Sequence, residues 1–297
     1  MDKRPLMVVT GATNGLGRLA AINLAIGGAD LAVIARSSDK ASRLREEIKA
    51  AAPEAQVDFF FADMTRLSEV RRAGEQIDAR YPRIDVLANV AGVHAFSQRI
   101  TAEGLGEMIA VNYLAPWVLT EALRRKLITS APSRIVTVAS EAARHSGGVD
   151  PERDLTLTEV YSRRQSSQLY GRTKLMAIMF TLELGRQLAG TGVTVTCCNP
   201  GFNTTGLGRD LPLSGLLERL LTRLGVGDPR RGAGIIVRLA ADPAATSNGY
   251  FSVNNVEPLE CPEPGKDEAT QQALWTATAT LVTHTLSATV RATDLTG

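Results

Sequence analysis

From Leu6 onward the chain alternates short apolar runs with longer stretches whose apolar positions recur every three or four residues. The runs are LMVVT (6–10), DLAVIA (30–35), QVDFFFAD (56–63), IDVLANVAG (84–92), SRIVTVAS (133–140) and VTVTCCNP (193–200). A strand with one wet face alternates polar and apolar side chains, so runs with little alternation predict strands covered on both faces. Between them, GRLAAINLAIGG (17–28), DKASRLREEIKAAA (39–52), SEVRRAGEQIDARY (68–81), a segment over about 103–128 and one from Tyr170 to about Leu188 carry the helical period. Strand and helix in strict alternation predict an α/β fold, a doubly wound parallel sheet wrapped by helices. No repeat, low-complexity tract or linker interrupts the order, and residues 1–297 are read as a single domain.

Two later segments stand apart from that alternation. In DLPLSGLLERLLTRLG (210–225), Leu213, Leu216, Leu217, Leu220 and Leu224 give a helix one apolar face, with Gly206, Gly208, Gly215 and Gly225 around it. A helix packed into the core would show the same pattern. The flanking glycines favour instead a helical lid over about 203–230 that closes on an apolar substrate. The breaker cluster EPLECPEPG (257–265) opens a C-terminal extension, 257–297, whose helix KDEATQQALWTATATLVTHTL docks through Leu274 and Trp275, with His284 at the surface or in packing.

Composition narrows the function classes. Of 297 residues, 44% are hydrophobic and 22% charged, and 33 basic against 31 acidic residues leave a net charge of +2. That bias is too weak to suggest a nucleic-acid partner or a membrane surface. Cys197, Cys198 and Cys261 are too few for a disulfide framework, and His94, His145 and His284 lie too far apart in sequence to suggest a metal site. The run LMVV after MDKRP is too short for a signal-peptide core, and nowhere do about 18 apolar residues run together. The expectation is a cytoplasmic chain without a membrane span, acting on a small molecule, with a homo-oligomer left open.

The candidate chemistry begins in TGATNGLGRLA (10–20), between the first strand and the first helix. Gly11, Gly15 and Gly17 permit a tight turn and let a pyrophosphate approach the helix N-terminus, although the spacing is G-x-x-x-G-x-G and not the commoner G-x-G-x-x-G. The second strand ends in Ala35 and Arg36, where an acidic residue would hold a ribose hydroxyl of NAD. A guanidinium in that place favours a 2′-phosphate, hence NADP(H). Asp63, closing the third strand, is read either as a contact to the adenine edge or as a cap on the next turn. In SSQLYGRTK (166–174) a phenol precedes an ammonium by four residues, so both lie on one helical face. The stretch alone leaves two readings open: neighbours that merely pack or pair on that face, or an acid/base catalyst. In the second, a cation about 4 Å from the phenol, worth at most ~4 kcal/mol at an effective dielectric of ~20, loosens the Tyr170 proton toward neutral pH.

TGATNGLG, NVAG (89–92), VNYLAPWVLT (111–120), IVTVAS (135–140), YGRTK (170–174) and NPGFNTT (199–205) occur in that order. Together they resemble the short-chain dehydrogenase/reductase family, whose fold is a Rossmann fold. YGRTKLMAIMFTLELGRQL and GAGIIVRLAADPAATSNGYF (232–251) resemble its retinol dehydrogenase and WW-domain-oxidoreductase branch, and the similarity covers roughly residues 5–255.

The resemblance implies Tyr170 as general acid/base and Lys174 as the group that lowers its pKa and holds the nicotinamide ribose. It implies Ser140 on the substrate carbonyl, and Asn112 fixing a water that relays protons to Lys174. Cofactor contacts would come from Gly11, Thr13, Asn14, Gly15, Leu16, Gly17, Arg36, Asp63, Met64, Asn89, Ala91, Gly92, Tyr170, Lys174, Pro200, Gly201 and Thr205, with no metal. NVAG and VAS stand where NNAG and VSS are commoner, sparing Ser140. The insertion between Ser140 and Tyr170 is a mark of the retinol dehydrogenase branch. Its Tyr161, Arg163 and Arg164 are read as a solvated loop in preference to substrate contacts. No counterpart of the N-terminal anchor of membrane-bound members is expected, which speaks against a retinoid substrate. The expected activity is NADPH-dependent reduction of a ketone on a bulky apolar substrate, in specialised metabolism of polyketide or terpenoid type. Its alternatives are a retinoid- or steroid-type alcohol dehydrogenase, an epimerase or dehydratase, and a redox-inactive cofactor sensor.

Overall fold

Each of the six apolar runs supplies a strand in the computed structural model, which describes residues 4–201, 228–245 and 248–294. They form β1 (Leu6–Thr10), β2 (Asp30–Ala35), β3 (Val57–Phe61), β4 (Val86–Asn89), β5 (Ser133–Val138) and β6 (Val193–Asn199). β7 (Gly249–Ser252) and β8 (Asn255–Leu259) complete one sheet in the order β3-β2-β1-β4-β5-β6-β7-β8. All neighbours pair in parallel except β7 and β8. The edge strand β8 contains Pro258, which a sheet tolerates only at an edge, and sits among the breakers that hide it from pattern reading. The first residues of the expected extension therefore belong to the sheet.

The absence of alternation in the runs has the expected cause. Val8, Ile34, Leu87, Ile135 and Val195 point into one apolar layer, and Val9, Val33, Ala88 and Val136 into the other. Helices α1 (Gly15–Ile26) and α2 (Ser38–Ala51) cover the second face. α3 (Leu67–Arg80), α5 (Ala115–Thr129) and α6 (Arg163–Gln187) cover the first, with the short α4 (Glu107–Ile109) beside them. α7 (Pro229–Ala241) packs with α1, and the long α8 (Glu268–Asp294) lies across α6 and α3.

Three helix boundaries depart from the periodic reading. The segment expected as one helix over 103–128 is broken by a π turn, Ala110–Leu114, between α4 and α5. Pro116 has no N–H to donate to the carbonyl four residues back, that of Asn112, and its ring crowds that oxygen. The ladder shifts by one residue, as in the Ala115 N–H bonded to the Ala110 carbonyl. α6 begins seven residues before Tyr170, because Ser162 and Gln165 close a reciprocal capping box. Asp228 caps α7, so Pro229 and Arg230 of the stretch expected as a lid over about 203–230 belong to that helix, and the rest of the stretch up to Gly227, with its leucines, lies outside the described residues.

Candidate active site

The strand order reverses between β1 and β4, and a crevice opens beyond their carboxyl ends, the place where open α/β sheets hold ligands. The two loops are tied there by Thr10, whose Oγ1 accepts from the Val90 and Ala91 amides at 3.0 and 3.1 Å. Gly11 (φ +69°) is required twice over, since a Cβ there would lie 2.7 Å from the Ala91 nitrogen. Gly17 brings α1 against the turn, where a Cβ would meet the Gly11 carbonyl at 2.3 Å. Asn14 precedes α1 without capping it, and the first turn holds no acidic residue. The free N–H groups and positive helix end thus face a groove lined by Thr13, Asn14, Gly15, Leu16 and Gly17, a chemistry that fits a pyrophosphate.

At one end of this groove, which encloses about 560 Å³, stand Arg36, Ser37, Lys40, Asp63 and Met64. The Arg36 side chain is 71% exposed, with Nη1 4.0 Å from Asp63 Oδ2. Asp63 Oδ1 accepts from the Thr65 amide and hydroxyl at 2.9 Å, as the reading of this residue as a cap on the next turn expects. Ser37 caps α2 by accepting from the Lys40 amide.

Ser140, Tyr170 and Lys174 line the other end with Gly92, Pro200 and Gly201. Ser140 follows the end of β5 by two residues and caps the 3-10 turn Glu141–His145, its Oγ accepting from the Ala142 amide at 3.3 Å. The same hydroxyl stands close enough to the Tyr170 phenol to favour its ionised form. α6 comes this close because Gly171 follows Tyr170, and a Cβ at Gly171 would lie 2.3 Å from the Ala142 carbonyl. Lys174 is buried, with Nζ donating to the Val138 carbonyl at 2.7 Å and lying 5.9 Å from the Tyr170 ring centroid.

Burial governs both titrations and corrects the expectation of a loosened phenol. It pushes Tyr170 up to about 12, with the Ser140 hydroxyl opposing, and brings Lys174 down to about 8. The estimate from spacing placed the ammonium beside the phenol oxygen; the structure aims it at a carbonyl, and desolvation dominates.

Asn89 and Asn112 are both buried beneath the groove and neither lines it, which corrects the expectation of Asn89 as a lining residue. Asn112 sits in the π turn, its Oδ1 accepting from the Val93 amide at 2.8 Å. Its Nδ2 donates to the Val93 carbonyl and Thr173 Oγ1. A Cβ on Gly92 would lie 3.4 Å from both Asn112 Oδ1 and Lys174 Nζ, so the three groups converge. Asn89 Nδ2 donates to Thr120 Oγ1, making it a brace between β4 and α5. Thr205 lies outside the described residues.

The insertion is less solvated than expected. Tyr161 Oη shares its one proton between the Ser97 and Ala95 carbonyls, at 2.9 and 3.2 Å, and the ring packs with Tyr170, Met108 and Ala95. Asp154 and Arg172 form an ion pair at 2.6 Å that ties the insertion to α6, while Arg163 and Arg164 are exposed. Sequence reasoning missed Lys40, Val93, His94, Arg99 and Glu107, all of which line the groove. His94 was within reach of that reasoning, since it follows NVAG by two residues. Among the described residues no cluster could hold a metal and no helix is long and apolar enough to cross a membrane.

Residues 5–150 match the model of a family described as short chain dehydrogenase. A Streptomyces sp. (strain C5) protein named "Putative daunorubicin C-13 ketoreductase DnrU" is 32% identical over 283 residues, covering 94% of this chain and 93% of that protein. Human retinol dehydrogenase 14 is 33% identical over 294 residues, covering 93% and 85%. The crystal structure of a blue fluorescent protein from a metagenomic library, in complex with NADPH, superposes with a TM-score of 0.65 at 25% identity, covering 84% of this chain and 96% of that one. With its groove, sheet order and motifs, the chain belongs to the short-chain dehydrogenase/reductase family, close to the retinol dehydrogenase branch, and is an oxidoreductase of small molecules that works with a nicotinamide cofactor.

Proposed function

We propose that the protein is an NADPH-dependent carbonyl reductase acting on a ketone. The observation that carries this reading is the meeting of Ser140, Tyr170 and Lys174 at one end of a groove whose other end holds Arg36 and Lys40. Bound in that groove, the dihydronicotinamide would supply a hydride to the carbonyl carbon. Ser140 and Tyr170 offer two hydroxyls to the carbonyl oxygen, and Tyr170 gives it a proton as negative charge develops there. A phenol pushed up to about 12 keeps its proton across the neutral range, which suits reduction. Oxidation of the alcohol needs the phenolate and is favoured only at high pH. Lys174, buried beside the ring, would offset the charge left on the phenol and bond the ribose hydroxyls. Asn112 braces Lys174 from below through Thr173 and the Val93 backbone.

At the adenosine end, Ala35 offers no carboxylate to a ribose hydroxyl, while Arg36, Lys40 and the capped N-terminus of α2 together suit a 2′-phosphate. The name of the Streptomyces relative supports a ketone of polyketide type, and the names of the mammalian relatives support a retinoid alcohol or aldehyde. Polar groups in the described wall, Arg99 and Glu107 in an ion pair among them, favour the oxygenated ketone. The test titrates NADPH and NADH by fluorescence and follows ketone-dependent NADPH oxidation. NADPH should bind at least about tenfold tighter, worth roughly 1.4 kcal/mol, and Arg36→Asp should narrow or reverse the gap. Equal affinities in the wild type, or turnover of retinal but of no ketone, would overturn the proposal.

A further inference from the structure

His94 lies flat against Tyr170, ring centroids 4.7 Å apart and planes 20° apart, with Phe96 at 4.5 Å on the same imidazole. Its Nε2 is 2.9 Å from Ser166 Oγ. The Ser166 hydroxyl has one proton, and it is committed to the Ala95 carbonyl at 2.8 Å. Ser166 therefore accepts from His94, and the imidazole must carry its proton on Nε2. A neutral imidazole so held has Nδ1 as an acceptor, and no described residue donates to it. Burial lowers the His94 pKa, which keeps the ring neutral. Ser166 itself is buried one helical turn before Tyr170, so the device is built into α6. His94 lines the groove beside Tyr170.

We propose that His94 reads the substrate: its Nδ1 accepts a hydrogen bond from a hydroxyl that the ketone carries near the carbonyl, so that hydroxyketones are preferred over their deoxy counterparts. This inference rests on the reductase reading above and names a substrate class for it. The carbonyl occupies the Ser140 and Tyr170 hydroxyls, and Nδ1 of the imidazole stacked on the phenol is an acceptor beside them. A hydroxyl near the carbonyl offers that nitrogen a proton; an ether or a hydrogen at that place does not.

The experiment compares kcat/KM for two matched pairs with NADPH: acetophenone against α-hydroxyacetophenone, and benzylacetone against its β-hydroxy derivative. The wild type should favour the hydroxylated member of at least one pair by about five- to tenfold, the worth of one hydrogen bond. His94→Phe keeps a flat ring against Tyr170 and removes the acceptor, and the ratio should fall to about one. Any effect on the placement of Tyr170 acts on both ketones alike and cancels in the ratio. Should that variant fold poorly, Ser166→Ala frees the imidazole to exchange its ring proton, while the Ala95 carbonyl keeps its bond from Tyr161. The preference should then drop part of the way. A wild type without preference, or a preference that survives in both variants, overturns the inference and leaves the reductase reading standing. A wild type that reduces none of the four overturns both.

Discussion

Among the described residues Lys174 hydrogen-bonds a neutral group, the Val138 carbonyl, and it is buried. With its pKa brought down to about 8, the ammonium is lost at mildly alkaline pH. Since kcat/KM for NADPH reports the free enzyme, it should fall above about pH 8, and Lys174→Met should give a low rate without that limb. A profile flat to pH 10 in the wild type would contradict the role of the cation. Stability has the opposite sign. Between about 8 and the ordinary 10.5 the unfolded chain binds more protons at this lysine than the folded one, so this group's contribution to stability rises with pH across that window. Below about 8 its charging cost is felt in full. The residues named by motif largely reach the groove, but their protonation was not legible, because it depends on burial and on where Nζ points.

Among elements, the contact of α6 with the 3-10 turn after Ser140 sets the site's geometry. Helix propensity alone would make Gly171→Ala stabilising by roughly 1 kcal/mol. Here the added Cβ would lie 2.3 Å from a backbone oxygen, and overpacking of that kind costs about 1–3 kcal/mol. The steric term should win: a melting temperature lower by roughly 2–10 °C, with turnover reduced further as Tyr170 is pushed from Ser140. Unchanged turnover and a higher melting temperature would show that the turn yields easily. At this scale the sequence was legible wherever periodicity was clean, as in β1 to β6 and α1 to α3. It was not legible where a single proline acted locally: Pro116 converts part of a helix to a π turn, and Pro258 masks β8. His94 and Ser166, 72 residues apart, show the other limit, since only the fold brings them to 2.9 Å.

For the whole molecule, α8 closes the face of the sheet opposite α1 and α2. Trp275 stacks on Phe180 of α6 at 5.7 Å and meets Trp117 of α5 at 5.6 Å, while Thr278 bonds the buried Tyr113 hydroxyl at 2.7 Å. The docking expected of Leu274 and Trp275 is thus observed. Trp275→Ala should cost about 2–4 kcal/mol, somewhat under the loss for a fully buried tryptophan, and leave NADPH affinity within about twofold. Loss of affinity in step with stability would mean that α8 also shapes the groove.

The function proposed here depends most on Tyr170 as the proton donor. The direct measurement is the rate of ketone-dependent NADPH oxidation by Tyr170→Phe, at saturating cofactor and beside a fluorescence titration of NADPH. Phenylalanine keeps the ring between His94 and Lys174 and removes only the hydroxyl. Turnover should fall by about 10²–10⁴-fold, the usual worth of a positioned acid, with NADPH affinity nearly unchanged. Turnover at the wild-type rate, where chemistry limits it, would contradict the assignment.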